Sequence, residues 1–220
     1  MAIVTTPWIG RREVVTGLAA AATSLILPPA LARAQSALPP TPRQTEGPFY
    51  PTNWQGDVDA DLVVVRGEAA RALGQVIHIQ GRVLDLSGQP VAGAAVEIWQ
   101  CDSRGIYLHP RDESRDRRRD SGFQGRGRSL ADTGGRYRFR TIRPVAYGSR
   151  TPHIHFKVAL PAGRNLITQM YVFGEPLNAR DGVLNGIRDP RQRDSVIVRL
   201  EPANGLEAGA MAATFDIVVG

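Results

Sequence analysis

The sequence contains few residues of several types, and each shortage excludes or disfavours a class of protein. Its 220 residues include one cysteine, Cys101, so an internal disulfide is impossible and a site built on several thiolates is excluded. Lys157 is the single lysine among 27 basic residues, so the positive charge rests almost entirely on arginine. No helical period of convincing length follows the N-terminal region, which disfavours a helical bundle.

The residues that are present indicate one domain with a dispersed positive charge. Hydrophobic residues make up 42% of the chain, which is enough for one sizeable core. The formal net charge is +6, which permits anionic ligands. Nucleic acid is not an expected partner, because the arginines are scattered and the sequence shows neither a stacking platform nor a reading helix.

Residues 1–34 have the pattern of a targeting segment. Arg11-Arg12 precede an apolar stretch over 14–27, and Ala32-Arg33-Ala34 forms a cleavage-site pattern. The pattern resembles a twin-arginine (Tat) signal, so we predict export to the periplasm or out of the cell. The alternative is a membrane anchor, but the apolar run is shorter than the roughly 20 residues that a spanning helix needs. We therefore expect no stable membrane span after processing.

The rest of the chain predicts an all-β protein. Residues 35–75 are interrupted by proline and glycine and predict an irregular N-terminal arm, while 76–220 predict a β-sandwich domain. Residues 102–133 are expected to form a long loop region with a charged, solvated run at 111–120. The predicted strands are Val76–Leu86, Ala94–Gln100, Arg136–Thr141, Pro152–Leu160, Asn165–Phe173, Asp194–Leu200 and Thr214–Val219.

We expect the chemistry where two histidines alternate on one strand. In His153-Ile154-His155 the period of two residues places both imidazoles on one face, so that they can bind one metal ion. This pattern alone is weak, because two polar residues on a solvated strand face would look the same. Few carboxylates lie near this strand in the sequence, which disfavours a site of two histidines and one carboxylate. Of the other histidines, we expect His78 to be structural and His109 to lie at the surface.

Two tyrosines offer further ligands. Tyr147 lies six residues before His153 in a turn-rich stretch, and Tyr107 follows a predicted strand. A phenolate is a hard anionic donor, and a bound metal lowers the pKa of the phenol far below its free value of about 10. Two phenolates with two imidazoles favour iron(III) over iron(II), because the anions neutralise the higher charge. Each tyrosine alone is more often a half-buried strand residue, so only the combination indicates a metal.

Several segments, in order, resemble the intradiol ring-cleavage dioxygenases, in particular the protocatechuate 3,4-dioxygenase type. Together they cover about residues 41–175. The segments are TPRQTEGPFYP at 41–51, VEIWQ at 96–100, GIY at 105–107, FQGRG at 123–127, GRYRFRTIRP at 135–144, RTPHIHF at 150–156 and TQMY at 168–171. The fold implied by this resemblance is the β-sandwich of that family.

The resemblance implies a non-haem iron(III) enzyme that uses O2 to cleave a small aromatic diol between its hydroxyls, giving a cis,cis-muconate-type diacid. A protocatechuate-like substrate is favoured. Arg150 and Gln169 are expected beside the substrate as catalytic residues, and Tyr147 is expected to accept a substrate proton as well. Gly47 and Pro48 are expected to approach the pocket. The implied metal ligands are Tyr107, Tyr147, His153 and His155.

The chain also departs from the family pattern. The spacing from Tyr147 to His153 is short for the family, which leaves the choice of diol open, and export is unusual for such an enzyme. All four ligand positions are present, so the chain resembles an iron-bearing one, and we expect a homo-oligomer or a pair with a related chain. One alternative is an exported, metal-free transthyretin-like binding module, which 81–94 also resembles. A second is a periplasmic protein that binds copper.

Overall fold

The computed structural model of the protein describes residues 38–112, 118–161 and 163–220. The predicted signal at 1–34, with Arg11 and Arg12, lies outside the described residues, as does the middle of the charged run, 113–117. Within the described ranges, none of the helices has the length and hydropathy needed to cross a bilayer.

In the described residues, ten strands form two five-stranded sheets. The strands are β1 Val76–Asp85, β2 Ala95–Trp99, β3 Arg126–Leu130, β4 Arg136–Ile142, β5 His153–Ala159, β6 Asn165–Val172, β7 Ile197–Val198, β8 Glu201–Pro202, β9 Met211–Thr214 and β10 Ile217–Val219. In the first sheet, β1 pairs with β4 along one edge and with β9 and β10 along the other, and β8 follows β9. The second sheet has the order β3-β2-β5-β6-β7. The prediction of an all-β sandwich is confirmed.

Aromatic and branched side chains from both sheets form the core between them. On β4, Tyr137 and Phe139 are buried while the arginines that alternate with them face outward, as the sequence pattern predicts. The ring of Phe156 on β5 lies 6.5 Å from that of Phe139 and 5.0 Å from that of Phe215. Because one face of β5 is committed to this core, its alternate residues point to the other side of the second sheet.

That other side of the second sheet receives His153 and His155. The pairing of strands places Trp99 on β2 and Gln169 on β6 directly opposite His155, so the three side chains form one row across the sheet. His153 and His155 are each 1% exposed, although they lie on the face away from the core. Loops and the N-terminal part of the described chain cover this face.

Residues 38–75 supply much of that cover. They contain no regular strand, and backbone hydrogen bonds from Thr41 to Val218 (2.9 Å) and from Gln44 to Ile167 (2.8 Å) fix their path against both sheets. Leu62 and Val63 enter the main core. Hydrogen bonds to both sheets therefore fix the backbone of this segment where it reaches the histidine-bearing face.

Several predicted boundaries were wrong. Strand β3 lies inside 102–133, which was predicted as loop. The predicted strand Asp194–Leu200 is reduced to β7, because Asp194 belongs to a short helix, α2 (Pro190–Ser195), which starts with Pro190 and the side-chain cap of Asp189.

The C-terminal prediction, Thr214–Val219, is split into β9 and β10. Phe215 donates its backbone N–H to Gln80, and the Asp216 carboxylate accepts from the backbone of Arg82. A 3-10 helix, Pro176–Arg180, and a four-residue helix, α1 (Gly182–Asn185), were also missed. All three helices are too short to show a helical period.

Candidate active site

The two histidines of β5 converge on one point. Their Nε2 atoms lie 3.2 Å apart, and the rings make an angle of 71°. His153 Nδ1 lies 2.6 Å from the carbonyl oxygen of Thr151, which orients its ring and leaves Nε2 free. Two nitrogen ligands bound to one ion at about 2.1 Å lie roughly 3 Å apart, so the observed spacing fits a shared metal.

Tyr107 and Tyr147 approach the same point from two loops. The Tyr107 ring centroid lies 6.1 Å from that of His155, and the Tyr147 centroid lies 5.5 Å from that of His153. The two phenol rings are 5.0 Å apart and nearly perpendicular. Asp112 fixes the loop of the first tyrosine by accepting the Tyr107 backbone N–H at 2.7 Å. The structure thus brings together all four residues that the sequence marked as metal ligands.

Burial sets the charge state of these four side chains. It lowers the pKa of His153 to about 4 and that of His155 well below the usual value, and the Arg150 charge adds to both effects. Both imidazoles are therefore neutral at physiological pH, with lone pairs available to a metal. Burial also raises the pKa of Tyr107 and Tyr147, so both phenols keep their protons until a cation replaces them.

Three polar atoms of the site are buried without a hydrogen-bond partner among the described residues, namely the Tyr107 hydroxyl, His155 Nδ1 and Trp99 Nε1. The Tyr107 hydroxyl makes no hydrogen bond of normal geometry among the described residues, and the residue is 1% exposed. A buried, unsatisfied hydroxyl costs free energy that a metal bond would recover. In the described ranges, no group of three or more His, Cys, Asp or Glu side chains could hold a metal. The tyrosine–histidine cluster fits a hard, highly charged cation such as iron(III), because phenolates are hard anionic donors and imidazole suits iron.

A hydrogen-bonded network flanks the cluster on the side of β6. Arg150 Nη2 donates to Gln169 Oε1 at 2.6 Å, and Gln169 Nε2 donates to the carbonyl of Thr45 at 3.0 Å. The Tyr171 hydroxyl donates to the same Gln169 oxygen at 3.0 Å, and Gln44 Nε2 donates to the Tyr171 hydroxyl at 2.8 Å. Arg150 also donates its backbone N–H to the Tyr147 carbonyl at 2.9 Å, so the guanidinium and the phenol share one tight turn.

The two glycine and proline residues predicted to approach the pocket, Gly47 and Pro48, differ in their positions. Gly47 has φ +75°, a backbone angle that favours glycine, and a Cβ atom there would lie in van der Waals contact with His155, at 3.4 Å from Cε1. Pro48 lies in the following turn with its side chain exposed, so its approach to the pocket stays a prediction.

Sequence reasoning missed the aromatic walls of the site. The indole of Trp99 stacks on the His155 ring, with centroids 4.7 Å apart and an interplanar angle of 11°. Phe49 stacks on Tyr107 at 4.8 Å. The alternation of β2 places Trp99 on the histidine face, which was a usable signal, whereas the position of Phe49 depends on the fold.

The prediction that His109 lies at the surface was wrong. It is 5% exposed, its Nδ1 accepts the Arg111 backbone N–H at 3.1 Å, and its ring packs on Phe49 at 5.7 Å. The turn after Tyr107 folds back toward Phe49, and the His109 imidazole is buried there as a result.

Comparisons with known proteins identify the family of the chain. The family model described as dioxygenase matches residues 45–220. The beta chain of protocatechuate 3,4-dioxygenase from Burkholderia cepacia is 38% identical over 185 residues, covering 80% of this chain and 78% of that one. The chain belongs to the intradiol ring-cleavage dioxygenase family.

Other members of the family differ in length. A hydroxyquinol 1,2-dioxygenase of Rhodococcus opacus is 32% identical over 169 residues, and the match spans about half of that protein, 52%. Among solved structures, the dioxygenase domain of a dioxygenase carbohydrate-binding protein fusion from Streptomyces sp. SirexAA-E superposes with a TM-score of 0.63 at 29% identity. That match covers 82% of this chain and 98% of the other. Membership of an enzyme family disfavours the metal-free binding module.

Proposed function

We propose that the protein is a non-haem iron(III) dioxygenase that cleaves a catechol-type ring between its two hydroxyls. The observation that supports this most strongly is the convergence of two neutral imidazoles and two phenols on one buried point. Tyr107, Tyr147, His153 and His155 would hold the metal. Bound iron(III) would supply Lewis-acid chemistry that activates the diol toward O2.

The two tyrosines are suited to different tasks. Tyr107 is buried beneath the Phe49 ring, whereas Tyr147 is partly exposed and shares a turn with Arg150. A phenolate that accepts a substrate proton must be reachable by the substrate and must tolerate becoming neutral. Tyr147 meets both requirements, and we assign it the role of proton acceptor.

Arg150 and Gln169 are assigned to the substrate. The Arg150 side chain is 17% exposed, so its charge acts in a largely dry environment where a fixed cation stabilises developing negative charge well. Gln169 is 0% exposed and is held by Thr45 and Tyr171, so its amide orientation is fixed before a ligand arrives. Together they would orient the diol and stabilise negative charge on its ring.

A protocatechuate-like diol is the substrate we favour, because the relative at 38% identity is a protocatechuate 3,4-dioxygenase chain. The test is a panel of protocatechuate, catechol and hydroxyquinol, with iron content, O2 uptake and product identity measured on the same preparation. We expect cis,cis-muconate-type diacids, with the highest kcat/KM for protocatechuate. An iron-loaded protein that consumes no O2 with any diol would contradict the proposal.

Assembly and export are part of the proposal. All four ligands come from one chain, so a homo-oligomer would carry a complete site in every subunit. Light scattering of the purified protein should show a homo-oligomer. A fully active monomer would refute the proposal of a homo-oligomer. Replacing Arg11-Arg12 with Lys-Lys should block export by the twin-arginine route, and unchanged export would refute it.

A further inference from the structure

A fully buried carboxylate lies behind the Arg150 side chain. Asp181 is 0% exposed, and its Oδ2 accepts from Arg150 Nε at 2.8 Å and from the Thr151 backbone N–H at 3.0 Å. Its Oδ1 accepts from the backbone of Val183 and Leu184 at the start of α1, at 3.0 and 2.9 Å. Both oxygens are therefore fully engaged, which is what makes a buried charge tolerable.

The same oxygen controls two features of the site. Asp181 Oδ2 accepts from Arg150 Nε, next to the Nη2 that donates to Gln169, and also accepts from the backbone N–H of Thr151. The carbonyl of Thr151 in turn lies 2.6 Å from His153 Nδ1. Asp181 is thus connected to the arginine directly and to one histidine through a single residue.

We propose that Asp181 is a positioning residue that fixes the Arg150 guanidinium against Gln169. The inference rests on the proposed function for its kinetic consequences, whereas the contacts themselves join groups of the protein alone. Arg150 is held at two points, Nε and Nη2, so the orientation of its charge toward Tyr147 is defined. Loss of one point lets the planar group rotate about the other.

Helix capping alone does not account for this residue. Asp189 caps α2 by accepting from the Arg191 backbone at 2.8 Å, and it does so while partly exposed. Asp181 caps a helix of only four residues with one oxygen and directs the other, fully buried, at the arginine. The two aspartates therefore form a natural pair, in which both are caps and only Asp181 contacts the site.

Two substitutions separate positioning from capping. Asp181→Ser keeps a good capping residue for α1 but is too short to reach Arg150, whereas Asp181→Asn keeps the size and removes the charge. We expect either change to lower kcat/KM for the diol by about 10- to 100-fold with iron content retained, since small misplacements of a positioned group cost that much. Asp189→Asn is the control and should leave kcat/KM unchanged. Wild-type kinetics for Asp181→Ser would show that the residue is only a cap.

A double-mutant cycle with Arg150→Ala tests whether the effect passes through the arginine. If it does, adding Asp181→Ser to Arg150→Ala lowers kcat/KM by less than about threefold beyond the single change. Fully multiplicative effects would overturn the proposal, because they would place Asp181 on an independent route.

A measurement on the metal-free protein does not depend on turnover. Exchange of the Arg150 Nε–H proton with solvent, followed by NMR, should be slow in the wild-type protein and in Asp189→Asn. It should be at least about tenfold faster in Asp181→Ser and in Asp181→Asn, because an opened contact exchanges readily. Unchanged exchange would overturn the proposal. Absence of iron or turnover in the wild-type protein would instead refute the proposed function. The exchange measurement would still show whether Asp181 holds Arg150.

Discussion

The outer faces of the two sheets present opposite arrangements of polar groups. The first sheet carries a groove of about 980 Å³ beside the outward arginines of β4. There Arg140 lies 2.9 Å from both Asp61 and Glu207, so its charge is balanced in place. On the second sheet, the histidine nitrogens and the Tyr107 hydroxyl are buried and converge without a charge partner of their own.

This difference shows which observation identifies a site. An arginine that two carboxylates already neutralise, such as Arg140, offers a ligand no unpaired charge, whereas a buried cluster with free lone pairs can bind a cation. The following substitutions test this difference between the two sheets.

The largest effect is expected from removing a histidine. His155→Ala should weaken iron binding by more than about 100-fold. Loss of a residue that merely orients a metal ligand weakens binding by up to about 100-fold, and loss of a ligand itself should cost more. His78→Ala on the first sheet should leave the iron content unchanged. Metal analysis after dialysis measures both. Equal iron contents in the two variants would break the distinction between the faces.

The next effect concerns two tyrosines with opposite surroundings. Tyr107→Phe removes a buried hydroxyl without a partner, so the free energy of unfolding of the metal-free protein should rise by about 1–3 kcal/mol while iron binding is lost. Tyr137→Phe removes a hydroxyl that donates to the Phe215 carbonyl, and stability should fall by about 1 kcal/mol. Urea unfolding gives both values. A loss of stability in Tyr107→Phe would show that its hydroxyl is already satisfied.

A smaller effect is expected at two glycines with similar backbone angles. Gly47 has φ +75° and Gly56 has φ +81°, so alanine at either position should cost about 1–2 kcal/mol of stability. Only at Gly47 would the new methyl lie near His155, at 4.0 Å from Nε2. Diol affinity should therefore fall by about tenfold in Gly47→Ala alone. Similar affinities in the two variants would argue against an approach of Gly47 to the site.

The smallest effect belongs to the first sheet. Hydrogen bonds from Arg140 and Arg71 lower the pKa of Glu207 to about 2 from its ordinary value of 4.5. The carboxylate therefore stabilises the folded state above pH 4.5, and this contribution is lost as the pH falls toward about 2. Glu207→Gln should lower stability by no more than about 1 kcal/mol at neutral pH, with kinetics unchanged. Thermal melts should show the difference from the wild-type protein disappearing over that range, and a constant difference would contradict the assignment.

The sequence predicted the parts of the site that depend on local periodicity. Alternation placed His153 and His155 on one face, and the resemblance to a family marked Tyr107 and Tyr147 in separate loops. Strand β3 was missed because its residues, Arg126–Leu130, show no alternation of apolar side chains. It pairs with β2, and Gly127 allows the backbone of Asp59 to approach closely.

The supporting contacts depend on distance in space and not in sequence. Asp181 follows Arg150 by 31 positions, and nothing in the intervening residues indicates that the two meet. Phe49 reaches Tyr107 through a segment without regular structure. Such contacts become visible only when the fold has placed both partners.

The visible absorption spectrum of the purified protein, before and after anaerobic addition of protocatechuate, tests the central claim most directly. Tyrosinate bound to iron(III) gives a broad charge-transfer band, and a catecholate on the same ion moves absorption to longer wavelength. We predict a coloured protein whose band shifts when protocatechuate is added. A protein that remains colourless after reconstitution with iron(III) would contradict the account.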